Sequence, residues 1–333
     1  KKPPESVGSP VWRSERKRIM GRFLVKRILS VIPVLFVVSV VVFLLVHLVP
    51  GDPAAAMLGD MATEADIAAL RERMGLNRPL LEQYVVWVGN VLHGDFGESV
   101  SGNETVLSMI LSHLQPTVFL SLYSLIIAAV IAIPLGMIAA RKKGAIVDHS
   151  VTVISLAGIS LPSFLLGLFL MLLFAVRLKW FPVSGYVPPS QGMAAHLRSL
   201  CLPAITLGFM NAALMMRMTR ASMLEVLGSD YMKMAKAKGV KEFFLIAKHA
   251  FKNTLVTVIT VIGQSIVQAL AGAAVVESLF AIPGLGQLMV NSIGRRDYYV
   301  IQSIVLLIAV FNVLVTMLID IIYGLVDPRV RVS

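Results

Sequence analysis

The chain has 333 residues, of which 57% are hydrophobic and 15% charged, whereas soluble domains are close to half apolar and one quarter charged. A membrane protein is therefore the first class to consider. The formal charge of +11 does not indicate a nucleic-acid binder, because most basic residues lie between long apolar runs. The single cysteine, Cys201, excludes an intrachain disulfide and a cysteine-rich metal site.

Six apolar runs, each with at least 18 consecutive uncharged residues, are long enough to cross a bilayer. About 20 residues at 1.5 Å rise cover a hydrocarbon core of roughly 30 Å. The runs predict an all-α integral membrane protein with six transmembrane helices, at residues 28–49, 114–140, 150–176, 199–220, 253–276 and 300–326. The third helix contains Pro162 and is still predicted as one span, since spanning helices tolerate proline when neighbours satisfy the freed carbonyl groups.

The connecting segments differ in character. Residues 1–27 are polar and basic, and their prolines predict an irregular backbone over the first dozen residues. Residues 50–113 form the only sizeable segment of soluble composition. Thr63 and Asp66 make a capping box there, and Pro79 can open a second helix. We predict that this segment forms a small helical cap over one end of the transmembrane helices.

The basic residues predict the orientation of the spans. One side of the predicted topology holds 22 Lys and Arg, and the other side holds 8. Because basic loops remain in the cytoplasm, we expect both termini, the loop at 221–252 and the tail at 327–333 to be cytoplasmic. The helical segment at 50–113 and the loop at 277–299 are then expected on the periplasmic side.

Residues 229–253 form a polar island with six Lys and two acidic residues. Asp230 lies where a helix would begin, and its carboxylate can accept from free backbone N–H groups. Gly239 lies where that helix would end, because glycine adopts the left-handed conformation at little cost. A second helical run follows. The pattern predicts two helices at a membrane surface, and a loop that only anchors the topology is an alternative.

Catalytic and metal-binding patterns are missing from the sequence. The six His residues stand apart, so no His pair has a metal-ligand spacing on a helix, and no phosphate-binding Gly-x-x-x-x-Gly-Lys-[Ser/Thr] motif occurs. We therefore expect no catalysis, no metal and no ATP binding on this chain. Gly284 and Gly286, separated by one leucine, are interpreted as a turn.

Four amide side chains fall within the predicted spans. Gln264 and Gln268 are one turn apart on one helix face, and Asn211 and Asn312 lie in the fourth and sixth spans. Amides facing lipid are unfavourable, so these side chains are expected to point inward. They either line a translocation path or form interhelical hydrogen bonds worth about 0.6–2 kcal/mol each.

Several motifs resemble those of ABC-type dipeptide and oligopeptide importer permeases. The island contains Asp-Tyr-x-x-x-Ala-x-Ala-Lys-Gly over residues 230–239, which is similar to the EAA loop of importer permeases. Lys233 replaces the usual glutamate, as is common in the peptide branch. Further matching motifs, which identify the B-type chain of this family, lie at residues 49–53, 75–80, 94–99, 158–162, 180–185, 202–204, 277–286 and 296–298.

The resemblance implies a type I importer permease in a bacterial inner membrane. Its expected partners are membrane lipid, a C-type second permease, an extracytoplasmic substrate-binding protein and two ATP-binding subunits that hold ATP and Mg; no nucleic acid is expected. The residues expected to couple to the ATPases are Asp230, Tyr231, Ala235, Ala237, Lys238 and Gly239. The residues expected at a periplasmic gate or binding-protein contact are Glu277, Pro283, Gly284, Arg296 and Asp297.

Two other functions remain open from the sequence. A stand-alone secondary transporter or channel would be favoured by buried acids or an inverted repeat, and neither is visible. A membrane-anchored scaffold would need more soluble mass than residues 50–113 provide. The substrate is open among dipeptides, longer peptides, glutathione, nickel complexes and other small solutes.

Overall fold

The computed structural model describes residues 10–48, 52–59, 62–99 and 104–326, and every regular element in these ranges is helical. Residues 10–12, which the sequence predicted as irregular, are helical, and the rest of that predicted segment lies outside the described residues. In chain order the helices are α1 Pro10–His47, α2 Pro53–Leu58, α3 Glu64–Arg73, α4 Leu80–Leu92, α5 Val106–Arg141, α6 Ile146–Ser160, α7 Ser163–Leu170, α8 Met193–Gly228, α9 Asp230–Ala237, α10 Glu242–Phe244, α11 Phe251–Leu279, α12 Leu285–Gly294 and α13 Tyr298–Val326.

Five helical stretches in the described residues are long and apolar enough to cross a membrane, and a bent pair makes six. They correspond to the six apolar runs of the sequence. A π-helical segment, Leu245–Ala250, joins α10 to α11 in one stretch of 38 residues. We call the end of the bundle that carries α9 the α9 end, and the opposite end, where α2–α4 and α12 lie, the α12 end.

The third span is bent, and the prediction of one continuous helix over residues 150–176 is wrong. α6 and α7 meet at 104°, and α7 continues as a π-helical segment, Met171–Arg177. Leu161 is extended, with φ −80° and ψ 125°. The ring of Pro162 disfavours helical geometry at Leu161, the residue before it, and α6 ends there.

Two helices run well beyond their apolar stretches. α5 begins at Val106, not at residue 114, because Val106 and Ile110 are buried against α12 and α13. α8 extends over Met193–Gly228, so only residues from Ser229 remain of the loop predicted at 221–252. Apolar length marks the lipid-crossing part of a helix, while protein contacts stabilise the turns at its ends.

α8 is the central helix of the bundle and packs against α5, α6, α7 and α11. Glycines bring α5 and α8 close together, since a Cβ on Gly136 would lie 2.8 Å from the Met216 carbonyl oxygen. A Cβ on Gly208 would lie 2.8 Å from the Ser124 carbonyl oxygen. Small residues at such crossings let membrane helices approach closely.

The predicted capping box at the start of α3 is confirmed. The Thr63 side chain accepts from the Asp66 N–H, and the Asp66 carboxylate accepts from the Thr63 N–H. These Thr63 hydrogen bonds hold the pKa of the Asp66 carboxyl below its usual value. The helix that follows Pro79 is α4, which packs along α1, where the Tyr84 hydroxyl lies 2.7 Å from Ser39 Oγ.

The segment predicted as a loop at 277–299 contains the helix α12. Gly284 is its N-cap residue, and Gly286 lies within its first turn, so the interpretation of these glycines as a simple turn is wrong. A Cβ on Gly286 would lie 2.3 Å from Ala274 Cα. The glycine therefore allows α12 to lie directly against α11.

Candidate functional site

The predicted helix at the start of the polar island is α9, which begins at Asp230 and follows Ser229 at the end of α8. The Asp230 carboxylate accepts from Lys233 Nζ at 2.8 Å and does not cap the backbone, unlike the prediction. Gly239 follows the helix with φ +79°, a conformation that glycine adopts without strain.

One face of α9 is buried against three other helices. Met232 and Ala235 belong to a cluster with Ala140 of α5, Met223 of α8 and the residues Leu245 and Ala250 that precede α11. Met232 is 2% exposed and Ala235 is 9% exposed. α9 is thus packed against the end of α8 and the residues that precede α11, in a cluster that also includes Ala140 of α5.

The opposite face of this region exposes large side chains in a segment rich in lysine. Exposure reaches 60% at Met234 and 73% at Phe243, and Tyr231 and Phe244 are also more than half exposed. Ala237, Lys238 and Gly239 are exposed beside them. We call Tyr231, Met234, Phe243 and Phe244 the α9 patch. Apolar groups clustered at a charged surface are typical of a protein contact site.

Polar contacts hold the surroundings of the α9 patch in place. Tyr231 Oη lies 2.6 Å from His249 Nδ1, and Arg141 Nε donates to the Glu242 carboxylate at 2.9 Å. A cleft of about 810 Å³ opens beside Tyr231. Its charged lining residues are Glu225, Lys248 and Lys252.

A salt bridge joins the α9-end termini of α6 and α8. The Asp148 carboxylate is bound by the Arg220 guanidinium through two hydrogen bonds, and it also accepts from the Gly144 N–H at 2.9 Å. Asp148 is 3% exposed. Bidentate pairs of this kind fix the relative orientation of their two helices.

At the α12 end, the carboxylate of Glu277 lies under the N-terminus of α12. Thr117 Oγ1 donates to Glu277 Oε1 at 2.6 Å, and the Gln287 N–H donates to Oε2 at 3.0 Å. Thr117 also accepts from the Leu285 N–H at 2.8 Å. A negative group at this position binds free N–H groups and the positive end of the helix dipole.

The predicted gate residues separate into buried and accessible groups. Glu277 is 0% and Asp297 is 1% exposed, and Asp297 accepts from Ser99 Oγ at 2.5 Å. Gly284 is buried over Glu277, which a Cβ would meet at 2.2 Å. These three residues lie beneath the surface of the chain, and their assignment to a gate or a partner contact stays a prediction. Pro283 and Arg296 are exposed.

The four amides in the spans occupy different environments. Asn211 is 3% exposed and donates to the Leu207 carbonyl oxygen of its own helix. Asn312 is half-buried, and its Oδ1 is enclosed without a hydrogen-bond partner. Gln264 and Gln268 are exposed on α11. The two glutamines therefore do not point into this chain's own helix bundle, and their place in a translocation path stays a prediction.

These glutamines belong to a longer exposed stripe, which we call the α11 face. It recurs at helical spacing and consists of Gln264, Gln268, Ala271, Val275 and Ser278. Val275 is its only large apolar side chain, whereas the exposed faces of α1 and α5 carry many Leu, Ile, Val and Phe side chains. A face of small and polar residues suits a partner helix or water better than lipid.

Among the described residues, no group of three or more His, Cys, Asp or Glu side chains could hold a metal ion. The candidate site consists of the exposed α9 patch, the buried face by which α9 packs on its neighbours, and the α11 face.

Comparison with known families decides the class of protein. Residues 132–332 match the family described as the inner membrane component of binding-protein-dependent transport systems, and residues 20–121 match the N-terminal part of such membrane components. The chain belongs to this family. It is an ABC importer permease of the peptide-transporter branch, and its relatives carry names of that branch.

The permease is 41% identical over 312 residues to a probable peptide ABC transporter permease of Sinorhizobium fredii, with 94% of this chain and all of that protein covered. It is 39% identical to the di/tripeptide permease DppB of Pseudomonas aeruginosa and to the glutathione permease GsiC of Shigella flexneri, with 94% of this chain and 99% of each relative covered.

Solved structures of an ABC importer support the fold. The permease aligns with a chain of the MetNI methionine ABC transporter with a TM-score of 0.55 at 17% identity, covering 66% of this chain and 97% of that chain. The predicted family and the all-α type I permease fold are thus confirmed. The permease is a multi-pass inner-membrane component of an importer that works with ATPase and substrate-binding proteins.

Three features of the site escaped the sequence analysis. α12 was missed, although Leu285, Leu288 and Met289 follow the helical spacing that predicts an amphipathic helix. The full α11 face was missed, because Val275 and Ser278 do not stand out in an apolar run. The Asp148–Arg220 bridge joins residues far apart in sequence, and no local pattern predicts such a pair.

Proposed function

We propose that the permease is one of two transmembrane halves of an ATP-driven importer for short peptides or related small solutes, and that α9 is its coupling helix. The observation that carries this proposal is the division of α9 into two faces. Met232 and Ala235 are buried on the bundle, while the α9 patch is exposed at a lysine-rich surface.

The α9 patch docks on an ATP-binding subunit in this proposal. Tyr231 and Met234 supply the contact on α9, and Phe243 and Phe244 extend it across the Gly239 break. Asp230, Ala237 and Lys238 form the polar rim around them. Ala235 has a different part, since its small side chain seats α9 on α5 and α8.

Closure of two ATP-binding subunits would move both coupling helices. In the permease, the buried contacts of Met232 and Ala235 pass this movement to α5, α8 and α11. These helices then tilt as rigid bodies, and the path opens alternately to the two sides of the membrane. ATP and Mg belong to the partner subunits in this mechanism.

The orientation of the permease follows from its basic residues. The α9 end carries the larger share of Lys and Arg, which supports a cytoplasmic location for that end and for both termini. The α12 end then faces the periplasm, where the exposed Pro283 and Arg296 are available to a substrate-binding protein.

The α11 face lines the translocation path against a second permease of the C type. Its small and polar residues support this assignment, since the exposed faces of α1 and α5 are rich in large apolar side chains. Asn211 and Asn312 are polar groups of their helices that do not belong to the α11 face. Relatives named for di/tripeptides and glutathione support a short peptide as the substrate.

Gln268→Cys in a Cys201→Ser background tests the path. In the assembled importer we expect a small charged thiol reagent to modify this cysteine, because the α11 face adjoins water. Val130→Cys, on the exposed face of α5, is the matched lipid-facing position at 66% exposure and should remain unmodified. If the thiol reagent modified neither cysteine, the α11 face would not line an aqueous path.

Met234→Glu tests the coupling assignment. A charge in the centre of the α9 patch should reduce peptide uptake by about tenfold or more, because central interface residues contribute about 2 kcal/mol each. The amount of permease in the membrane should not change, since Met234 is exposed. ATP hydrolysis should no longer respond to substrate and binding protein. Uptake and ATPase rates are measured in the same proteoliposomes.

Met193→Glu is the matched control. Met193 is 55% exposed at the start of α8, at the other end of the bundle, and receives the same chemical change. Its uptake should equal that of the unmodified permease. If Met234→Glu also retained full uptake, α9 would be a topology anchor and not the coupling element.

A further inference from the structure

The helix α4 contacts α1 within its membrane-spanning part. Tyr84 Oη lies 2.7 Å from Ser39 Oγ, and the rings of Tyr84 and Trp87 lie 5.4 Å and 5.8 Å from the ring of Phe43. Ser39 is eight residues before His47, the last residue of the span. At 1.5 Å per residue, this contact is about 12 Å below the end of α1.

The ends of the spans α1 and α13 at this end of the bundle can be compared through one contact between them. Gln302 Nε2 donates to the carbonyl oxygens of Val42 and Phe43, so these residues lie at the same depth. His47 lies about 6 Å beyond Phe43 along α1, and Tyr298 lies about 6 Å beyond Gln302 along α13. The two spans therefore end at one level, and the contact of Tyr84 with Ser39 lies inside it.

The free face of α4 is apolar. Leu81 is 75%, Val85 is 61% and Leu92 is 79% exposed, and these positions recur at helical spacing. Residues 83–94 contain no Asp, Glu, Lys or Arg. A soluble cap helix would present polar residues here, as α3 does with its exposed Glu64, Asp66 and Glu72.

We propose that α4 is an interfacial membrane helix whose face of Leu81, Val85 and Leu92 is immersed in the acyl chains of the leaflet at the α12 end. Next to the contact with α4, α1 also exposes a large apolar side chain, since Phe36 is 59% exposed and its ring lies 6.4 Å from the ring of Tyr84. Tyr84 and Trp87 lie on the other side of α4, where their rings pack against Phe43 of α1.

Lipid fits this face better than a protein partner does. The face joins a surface that α1 already presents to the bilayer, and it has no charged residue to orient a soluble partner. Glu82 is on another side of α4, where it pairs with Arg78 at 3.3 Å, and so the charged side of the helix remains in water. α4 thus anchors the segment that connects α1 to α5 to the membrane surface.

Site-directed spin labelling of the full chain in phospholipid vesicles tests this proposal. Single cysteines replace Leu81, Val85 and Leu92 in a Cys201→Ser background, and relaxation by oxygen is compared with relaxation by a polar nickel complex. Val130→Cys on α5 is the lipid-facing control and Ala68→Cys on α3 is the water-facing control. Three α4 positions are used so that one poorly expressed variant does not decide the result.

We expect all three α4 labels to match Val130→Cys, with an oxygen-to-nickel accessibility ratio about tenfold above that of Ala68→Cys, because polar complexes are excluded from hydrocarbon. Values close to those of Ala68→Cys would overturn the proposal, since the face would then lie in water. Low accessibility to both reagents would also overturn it, because protein and not lipid would then cover the face.

Discussion

At the scale of single residues, the permease uses buried polar groups to fix where short helices begin. Glu277 and Thr117 together bind the N–H groups of Leu285 and Gln287, so α12 starts at a defined point above α5 and α11. Neither side chain reaches the surface. These two side chains therefore position α12, whereas Pro283 and Arg296 are exposed at this end.

Thr117→Val tests this positional function. The substitution keeps the shape of the side chain but leaves Glu277 and the Leu285 N–H without their partner. We expect the free energy of unfolding to fall by about 1–3 kcal/mol, which is the cost of unsatisfied buried groups. Thermal unfolding of the purified permease in detergent measures the change.

Thr117→Ser is the control because it retains the hydroxyl group and loses only a methyl. It should keep most of the stability that Thr117→Val loses. If valine and serine were equally stable at this position, the hydrogen bonds of Thr117 would not stabilise α12.

Local patterns predicted some residue conformations well. The capping box of Thr63 and Asp66, and the left-handed Gly239, depend on chemistry within a few residues of the chain. The burial of Glu277 could not be predicted, because it requires a hydroxyl from a helix 160 positions earlier. Asp230 was misjudged for a different reason, because two local partners compete: its carboxylate bonds to the nearby Lys233 and not to the backbone.

At the scale of elements, the Asp148–Arg220 bridge joins α6 to α8 near the cluster in which α9 is buried. Asp148→Ala should lower the free energy of unfolding by about 2 kcal/mol or more, because it leaves a largely buried guanidinium without its partner. The combined Asp148→Ala and Arg220→Ala variant should lose less than the sum of the two single variants. A double-mutant cycle by thermal unfolding should give a coupling energy of about 1–3 kcal/mol.

The exposed pair Arg78–Glu82 provides the comparison for this cycle. Its side chains are 55% and 52% exposed, so solvent screening should limit the coupling energy to about 0.5 kcal/mol. Equal coupling in both cycles would mean that burial adds nothing to the Asp148–Arg220 bridge.

Hydropathy predicted the existence of every span but not the ends or the bend. Apolar length depends on bilayer thickness, and α5 extends past it because Val106 and Ile110 bury themselves against other helices. Pro162 indicated a possible break in the third span, but proline alone does not decide between a kink and the 104° bend. That choice depends on the contacts of α7 with α8 and α11.

At the scale of the whole molecule, the permease presents three kinds of exposed face. Lipid-facing surfaces on α1 and α5 are rich in large apolar side chains, the α11 face is small and polar, and the α9 patch is apolar within a basic surface. The sequence motifs identified the family. They did not distinguish these faces, because exposure depends on how the helices pack.

The most direct test is a photo-crosslinking experiment in native membranes. A benzophenone amino acid replaces Met234 in the α9 patch, or Met193 at the other end as the control, and mass spectrometry identifies the adduct. We predict that position 234 forms an adduct with an ATP-binding subunit and that position 193 does not. An efficient adduct at position 234 with lipid alone, or no adduct with any ATP-binding protein, would contradict the coupling function and favour a transporter that works alone.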